Sequence, residues 1–203
     1  MKVTREQVAE NRRRILDSAS RLFRSKGVGA VSVAEVMQCA GLTHGGFYGH
    51  FSSKDDLVAQ ALLHILTSDA EGPFSLLGYL EQYLSADHRD NPGEGCPFAA
   101  LASEMRHQSP QARAVMTAGA RQIIDMMSTE VSPTAEAANG QTVIGHWAAM
   151  VGATILARAV DDKELSDRIL EETRRFVASS VTQVNNVDPE REFSQSLGSS
   201  RED

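Results

Sequence analysis

The chain of 203 residues is poor in several things, and each shortage excludes something. It has two cysteines, Cys39 and Cys96, and no CxxC pair. That rules out a disulfide framework and argues against structural zinc. Aromatics are 5% of the residues, while Ala, Leu, Met, Arg, Glu and Gln abound. That balance disfavours a β-sandwich and favours helices. No long apolar run occurs: the most apolar stretch, Val143 to Val160, is broken by His146, Thr154 and Arg158. It is too short and too polar to span a bilayer. No apolar leader follows the charged start at Lys2, so no secretory signal is expected. Nothing in the sequence pairs a nucleophile with a base, spaces metal ligands or forms a glycine-rich phosphate loop. No catalysis, cofactor or metal is therefore expected. An all-α cytoplasmic protein is expected, long enough to bury a core.

What is present is an uneven charge. The net charge is −7, yet residues 1–54 hold nine Lys and Arg against four acids. That head carries a surplus of +5, so the remainder carries −12. A basic head on an acidic body suits a polyanion-binding end joined to a part with another job. A solvated charged face on the first helix is the plainer alternative.

Periodicity divides the chain into helices. The first is expected from about Thr4 to Lys26, with Val8, Ile15, Ala19, Leu22 and Phe23 on one stripe and Thr4 with Gln7 as a capping box. Ser32 caps a short second helix with Val33, Val36 and Met37 inward, closed by Ala40-Gly41. Cys39 is expected to pack as an inert thiol. Thr43 opens a very short third helix through Phe47-Tyr48, and Ser53 a fourth with Asp55 and Asp56 in its first turn. Beyond Gly72-Pro73, a helix is expected from Phe74 to Leu84 carrying Leu77, Leu80 and Leu84. A loop over Asp87–Gly95 follows, then helices Cys96–His107 and Pro110–Val131. Ser132–Gly140 reads as a second loop. Two long helices follow, Gln141–Val160 and Lys163–Val184, then a disordered polar tail over 185–203.

The stretch Ser32 to Lys54, SVAEVMQCAGLTHGGFYGHFSSK, reads as two short helices joined by a tight turn at Gly41 and braced by the first helix. The second is too short and polar to be a core element. Its exposed positions are Thr43, His44, Gly46, Tyr48, Gly49 and His50. This is helix-turn-helix geometry, in which the second helix enters a major groove. From Arg14 to Leu62 the chain strongly resembles the TetR/AcrR family of transcriptional regulators. The resemblance rests on Gly27, the Ser32 cap, Ala40-Gly41, Tyr48-x-x-Phe51, Lys54 and Leu57 in fixed order. It implies a three-helix DNA-binding domain over 1–52 and a helical ligand-binding and dimerisation domain over 53–184. It further implies DNA contacts from Ser32, Thr43, His44, Gly45, Gly46, Tyr48, His50 and Lys54. Tyr48 and Lys54 would hold phosphates, Phe51 would be core, and Thr43, His44, Gly46 and His50 would face the bases. His44, Gly46 and Gly49 depart from residues common in the family, which removes direct readers from the short helix.

For the body, the resemblance implies an effector pocket, with candidate lining residues Tyr79, Tyr83, Cys96, Phe98, Leu101, Met105, Met126 and Trp147. Plain core packing is the alternative for each. Cys96 precedes Pro97 at a helix N-terminus, a setting that favours a thiolate, while Glu94 opposes it. The last two helices carry apolar stripes suited to a homodimer: Ile144, Ala148, Val151, Ile155 and Ala159 on one, and Leu165, Ile169, Phe176, Val177, Val181 and Val184 on the other. The expected partners are a palindromic double-stranded DNA operator, an unidentified small-molecule effector and a second copy of the chain, with no membrane. The competing reading is an all-helical small-molecule-binding protein or enzyme that ignores DNA.

Overall fold

The computed structural model describes residues 4–68, 74–131 and 138–185. Gly72-Pro73, most of the expected loop at 132–140, the Val184 side chain and residues 186–203 of the expected tail lie outside the described residues. Among the described residues every regular element is a helix. None is long and apolar enough to cross a membrane.

Helix α1 (Arg5–Lys26) is capped by Thr4, whose hydroxyl accepts from the Gln7 amide at 3.2 Å. Only half of a capping box forms, because the Gln7 side chain donates to Asn11 instead. Ile15, Leu16, Ala19 and Phe23 are buried. Val8 lies on the same stripe but is exposed, because the first turns of α1 run past the elements it packs on. Helix α2 (Val33–Cys39) buries Val36 and Met37, and Ser32 caps it through the Glu35 amide at 3.1 Å. Cys39 is exposed, which corrects the packed thiol expected for it. At 100° per residue it lies about 110° from the middle of the Val33-Val36-Met37-Ala40 face. The third element is a 3₁₀ turn, His44–Gly49. Helix α3 (Lys54–Leu66) begins at Ser53, whose hydroxyl accepts from the Asp56 amide, while the Asp56 carboxylate accepts from Ser52. Ser20 and Asp17 of α1 bond to Ala61 and His64 of α3, tying the head to the first helix of the body.

The body is more helical than its composition suggests. Helix α4 (Leu76–Tyr83) buries Leu76 and Leu80, while Leu77 is exposed. The stretch 87–95, read as a loop from its Asp, Asn, Pro and Gly content, lies mostly in α5 (Ala86–Asp90) and a 3₁₀ turn, Pro92–Glu94. The Ser85 hydroxyl caps α5 at the His88 amide, at 3.1 Å. The helix expected over 96–107 is α6 (Pro97–Leu101) followed by a 3₁₀ turn, Ala102–His107. Helix α7 (Pro110–Val131) matches its expected span, and α8 (Ala138–Ala159) and α9 (Lys163–Asn185) pair as a hairpin. Two apolar cores result. One joins the head to α3, α6 and α7; the other joins α4, α7, α8 and α9. Cys96, Ile123, Trp147 and Val151 touch both.

A buried cation braces the hairpin. Arg89 is 7% exposed and donates to the Ser166 hydroxyl at 3.0 Å and to Asp167 and Asp90 at 2.5 and 2.7 Å. Those two carboxylates are exposed, so removing the arginine strands no buried charge. Arg89→Ala should therefore cost about 2 kcal/mol, from lost charged hydrogen bonds and packing, rather than abolish folding. Urea unfolding checks this, and an unchanged midpoint would show that the brace contributes nothing.

Candidate functional site

The protrusion from Thr43 to Gly49 is fixed by one ring. Phe47 is buried, edge-on to Tyr48 at 5.2 Å and stacked on Phe51 at 5.7 Å between ring centres. Anchoring Phe47 turns its neighbours outward. Thr43, His44, Gly45 and Gly46 are exposed, and Tyr48 is 72% exposed. Gly45 and Gly49 face open space, so a backbone surface lies bare between the side chains. A flat aromatic left this far in water beside polar neighbours is a poor packing element and a ready contact for another surface.

The remaining candidates on the head are placed differently from one another. Ser32 is exposed, with its hydroxyl accepting from Glu35. His50 is half-buried against Phe51, and its Nδ1 is enclosed without a hydrogen-bond partner. It is not the outward-facing residue expected. Lys54 opens α3 and donates to the Val28 carbonyl at 2.7 Å, leaving two N–H donors on its ammonium. The basic surplus of the head is engaged as well. Arg13 pairs with Glu10 at 2.9 Å, Lys26 with Glu35 at 2.7 Å and Arg21 with Glu94 at 2.8 Å, and Arg12 lies over the Phe51 ring. The three ion pairs are largely exposed and so are weak. A polyanion competes for these cations at small cost.

A cleft of about 450 Å³ opens between the end of α1 and the α4–α5–α6 region of the body. Tyr79, Tyr83 and Cys96 line it, as expected from the sequence. Phe98, Met105 and Trp147 line a second cleft of about 400 Å³, Leu101 is core, and half-buried Met126 lines neither. Sequence reasoning missed His88, Arg24, Ile65 and Ile123 in the first cleft. His88 gave no signal because its stretch reads as a loop, and a ring contributed by a loop has no periodicity to betray its direction.

The geometry fixes the state of His88. Its Nδ1–H donates to the Tyr83 carbonyl at 2.6 Å, and its Nε2 accepts from the Cys96 amide at 2.9 Å. Only the neutral ring can do both. A β-carbon at Gly95 would come within 2.6 Å of this ring, so the chain must be glycine there. Burial, with the Arg158 charge adding, holds His88 below the ordinary imidazole value. The unfolded chain then takes up protons first as pH falls below about 6.5. Stability from this residue is complete above that pH and is lost on acidification, and buried His146 acts with the same sign. Thermal melts between pH 7.5 and 5.5 should show a falling midpoint, with a smaller fall in His88→Gln. Equal slopes would assign the loss elsewhere.

Comparison with known proteins agrees with this architecture. Residues 15–61 match the family model for bacterial regulatory proteins of the tetR family. The chain is similar to the HTH-type transcriptional regulator AcrR of Shigella flexneri, with 42% identity over 57 residues, which are 28% of this chain and 26% of that protein. It is 30% identical over 130 residues to an uncharacterized HTH-type transcriptional regulator of Mycobacterium tuberculosis, covering 58% of this chain and 65% of that one. The chain thus spans less than two thirds of the curated relatives it matches. Among solved structures, the reduced form of NemR from Escherichia coli superposes with a TM-score of 0.65 at 24% identity, over 82% of this chain and 94% of that one. A TetR-family regulator from Streptomyces coelicolor does so at 0.62 and 21% identity, over 87% and 96%.

Proposed function

The chain belongs to the TetR/AcrR family of transcriptional regulators, and from that premise we propose that it works as a homodimeric, sequence-specific DNA-binding repressor released from its operator by an effector. The observation that carries the reading is the Phe47-anchored protrusion with Tyr48 at its surface. Its small, glycine-rich profile lets backbone approach a groove closely, with His44 and Thr43 as the side chains able to meet base edges. Tyr48 and Lys54 supply phosphate contacts, and Ser32 adds one at the start of α2. One such short element binds weakly; two held at groove spacing read a palindrome.

The pairing surface on this reading is the outer face of the α8–α9 hairpin. Ile144, Ile155, Leu156, Leu165 and Phe176 are exposed there, while Val177 and Val181 are spent on the chain's own core. Gly145 and Gly152 meet nothing, which leaves room for a close helix approach. The domain division at residue 52 fits the head's own caps and turns. The effector enters the cleft at Cys96, either bound without covalent change or through modification of the thiol in the wall. Either event shifts α3 only by favouring one of two head arrangements. Comparing Cys96→Ser with wild type for release by an oxidant separates the two routes.

The direct test is a gel shift with the duplex upstream of the chain's own gene, across a salt series. Affinity should fall steeply with salt. Tyr48→Ala should weaken binding to every sequence by about tenfold, whereas His44→Ala should relax the preference among sequences. A protein that ignores duplex at low ionic strength ends this reading.

A further inference from the structure

Among the described residues, the cleft at Cys96 contains one fully buried polar side-chain atom that the chain leaves without a partner. Tyr83 is 4% exposed, lines the cleft, and its hydroxyl makes no hydrogen bond. Half-buried Tyr79 and exposed Gln82 also line the cleft, where water can reach them, and the remaining polar groups are engaged within the chain. Both His88 nitrogens are taken, one by the Tyr83 carbonyl and one by the Cys96 amide. Arg24 donates to the Ser20 and Gly95 carbonyls at 3.1 and 2.7 Å. Asp87 accepts from Asn91 at 2.9 Å, and Glu94 pairs with Arg21. The Cys96 thiol acts on the hydroxyl only as a weak neighbour, outside ordinary hydrogen-bond geometry. Leaving a buried hydroxyl unmet carries the full cost of its desolvation, so the site is built for something absent from the chain itself.

The wall has a definite shape. Phe74, Tyr79, Tyr83 and His88 form a continuous row of rings, with successive centres 5.5, 5.5 and 4.6 Å apart. Ile65, Ile123 and Pro97 close the apolar side. The rings are tilted 52°, 52° and 59° to one another, so they offer a ligand apolar faces and edges rather than one flat surface. Burial holds the Tyr83 phenol far above its ordinary value, so it stays protonated and can donate. The cleft carries charge of both signs, but Arg24, Asp87 and Glu94 are already held by the Gly95 carbonyl, Asn91 and Arg21, and neutral His88 beside the hydroxyl offers no charge to either sign.

Resting on the regulator reading above, we propose that the effector is an uncharged aromatic compound carrying a hydrogen-bond acceptor oxygen, which accepts a hydrogen bond from the Tyr83 hydroxyl while its ring packs against Tyr79 and Tyr83. Its affinity comes from apolar burial, and its selection from the single hydrogen bond. A ligand lacking the oxygen leaves the hydroxyl unmet, and a charged ligand must shed its hydration against side-chain charges that already have partners in the chain.

The test uses the full chain and four naphthalene probes matched in shape. These are 2-acetylnaphthalene, 2-ethylnaphthalene, 2-naphthoate and (2-naphthylmethyl)trimethylammonium, measured by equilibrium dialysis on wild type and Tyr83→Phe. The ketone should bind wild type most tightly. Tyr83→Phe should weaken the ketone about fivefold and leave the hydrocarbon unchanged. The proposal is overturned by Tyr83→Phe leaving the ketone unaffected or weakening ketone and hydrocarbon alike. It is also overturned by either charged probe matching the ketone, or by no probe binding. The same preparations are run on duplex DNA at low salt. Duplex binding without any probe binding defeats only this inference, whereas absent duplex binding defeats the regulator reading itself.

Discussion

On the proposed pairing through α8 and α9, a chain carrying both Ile155→Glu and Phe176→Glu is expected to sediment as a monomer at concentrations where wild type pairs. Both residues are exposed in the protomer, Phe176 by 59%, so the substitutions remove little of the chain's own core. In a symmetric pair each charge appears twice and faces an apolar partner. Two such positions at about 2 kcal/mol each weaken association about a thousandfold. Duplex affinity should fall at least a hundredfold with it, because a single head then binds without its twin. Helical content by circular dichroism should stay near wild type. An unchanged sedimentation coefficient would place the pairing surface elsewhere on the chain.

The second large effect is expected at Gly27. It sits at φ +83° and ψ 154°, a conformation open essentially to glycine alone. A β-carbon there would also overlap the Glu104 carboxylate. That carboxylate accepts from the Val28 and Gly29 amides at 3.0 and 3.4 Å, and Lys54 donates to the Val28 carbonyl. One turn is thus held from both sides, by the body through Glu104 and by α3 through Lys54. Gly27→Ala should cost about 3 kcal/mol of unfolding free energy, from backbone strain together with the overlap. Glu104→Ala alone should cost about 1 kcal/mol. The double variant should be more stable than the two costs summed, because the overlap is gone while the strain persists. Strict additivity in urea unfolding would mean that Gly27 and Glu104 do not meet.

Lys54 has a consequence for the DNA reading as well. Its ammonium supports the Val28 turn through one hydrogen bond and, on the proposed reading, keeps its other N–H donors for a phosphate. Lys54→Ala therefore alters stability and affinity together. A loss of binding in that variant is informative only beside its melting curve.

Local chemistry made much of the head legible. Ser32, Ser53 and Thr4 are caps because a short hydroxyl meets an amide three residues on, a rule confined to four residues. The spacing of Ile15, Ala19 and Phe23 gave the buried face of α1. Periodicity failed where packing partners end or elements are short. Val8 keeps the stripe but has nothing above it, whereas the exposed Cys39 stands about 110° off its helix's buried face, so there the error lay in reading the repeat and not in the repeat itself. His50 is the short-element case, since a 3₁₀ turn has no long repeat from which to read direction.

The sequence by itself determined the long helices and the caps of the head, because each depends on residues within about one turn of one another, and the uneven charge and the order of motifs through Lys54, which need no structure at all. Only the tertiary structure decided that Tyr83 is left with an unmet hydroxyl, that His88 is held neutral between Tyr83 and Cys96, and that Glu104 grips the turn after Gly27. Those facts depend on which groups far apart in the chain arrive at the same place. A hydrogen bond across 76 residues leaves no mark on local spacing.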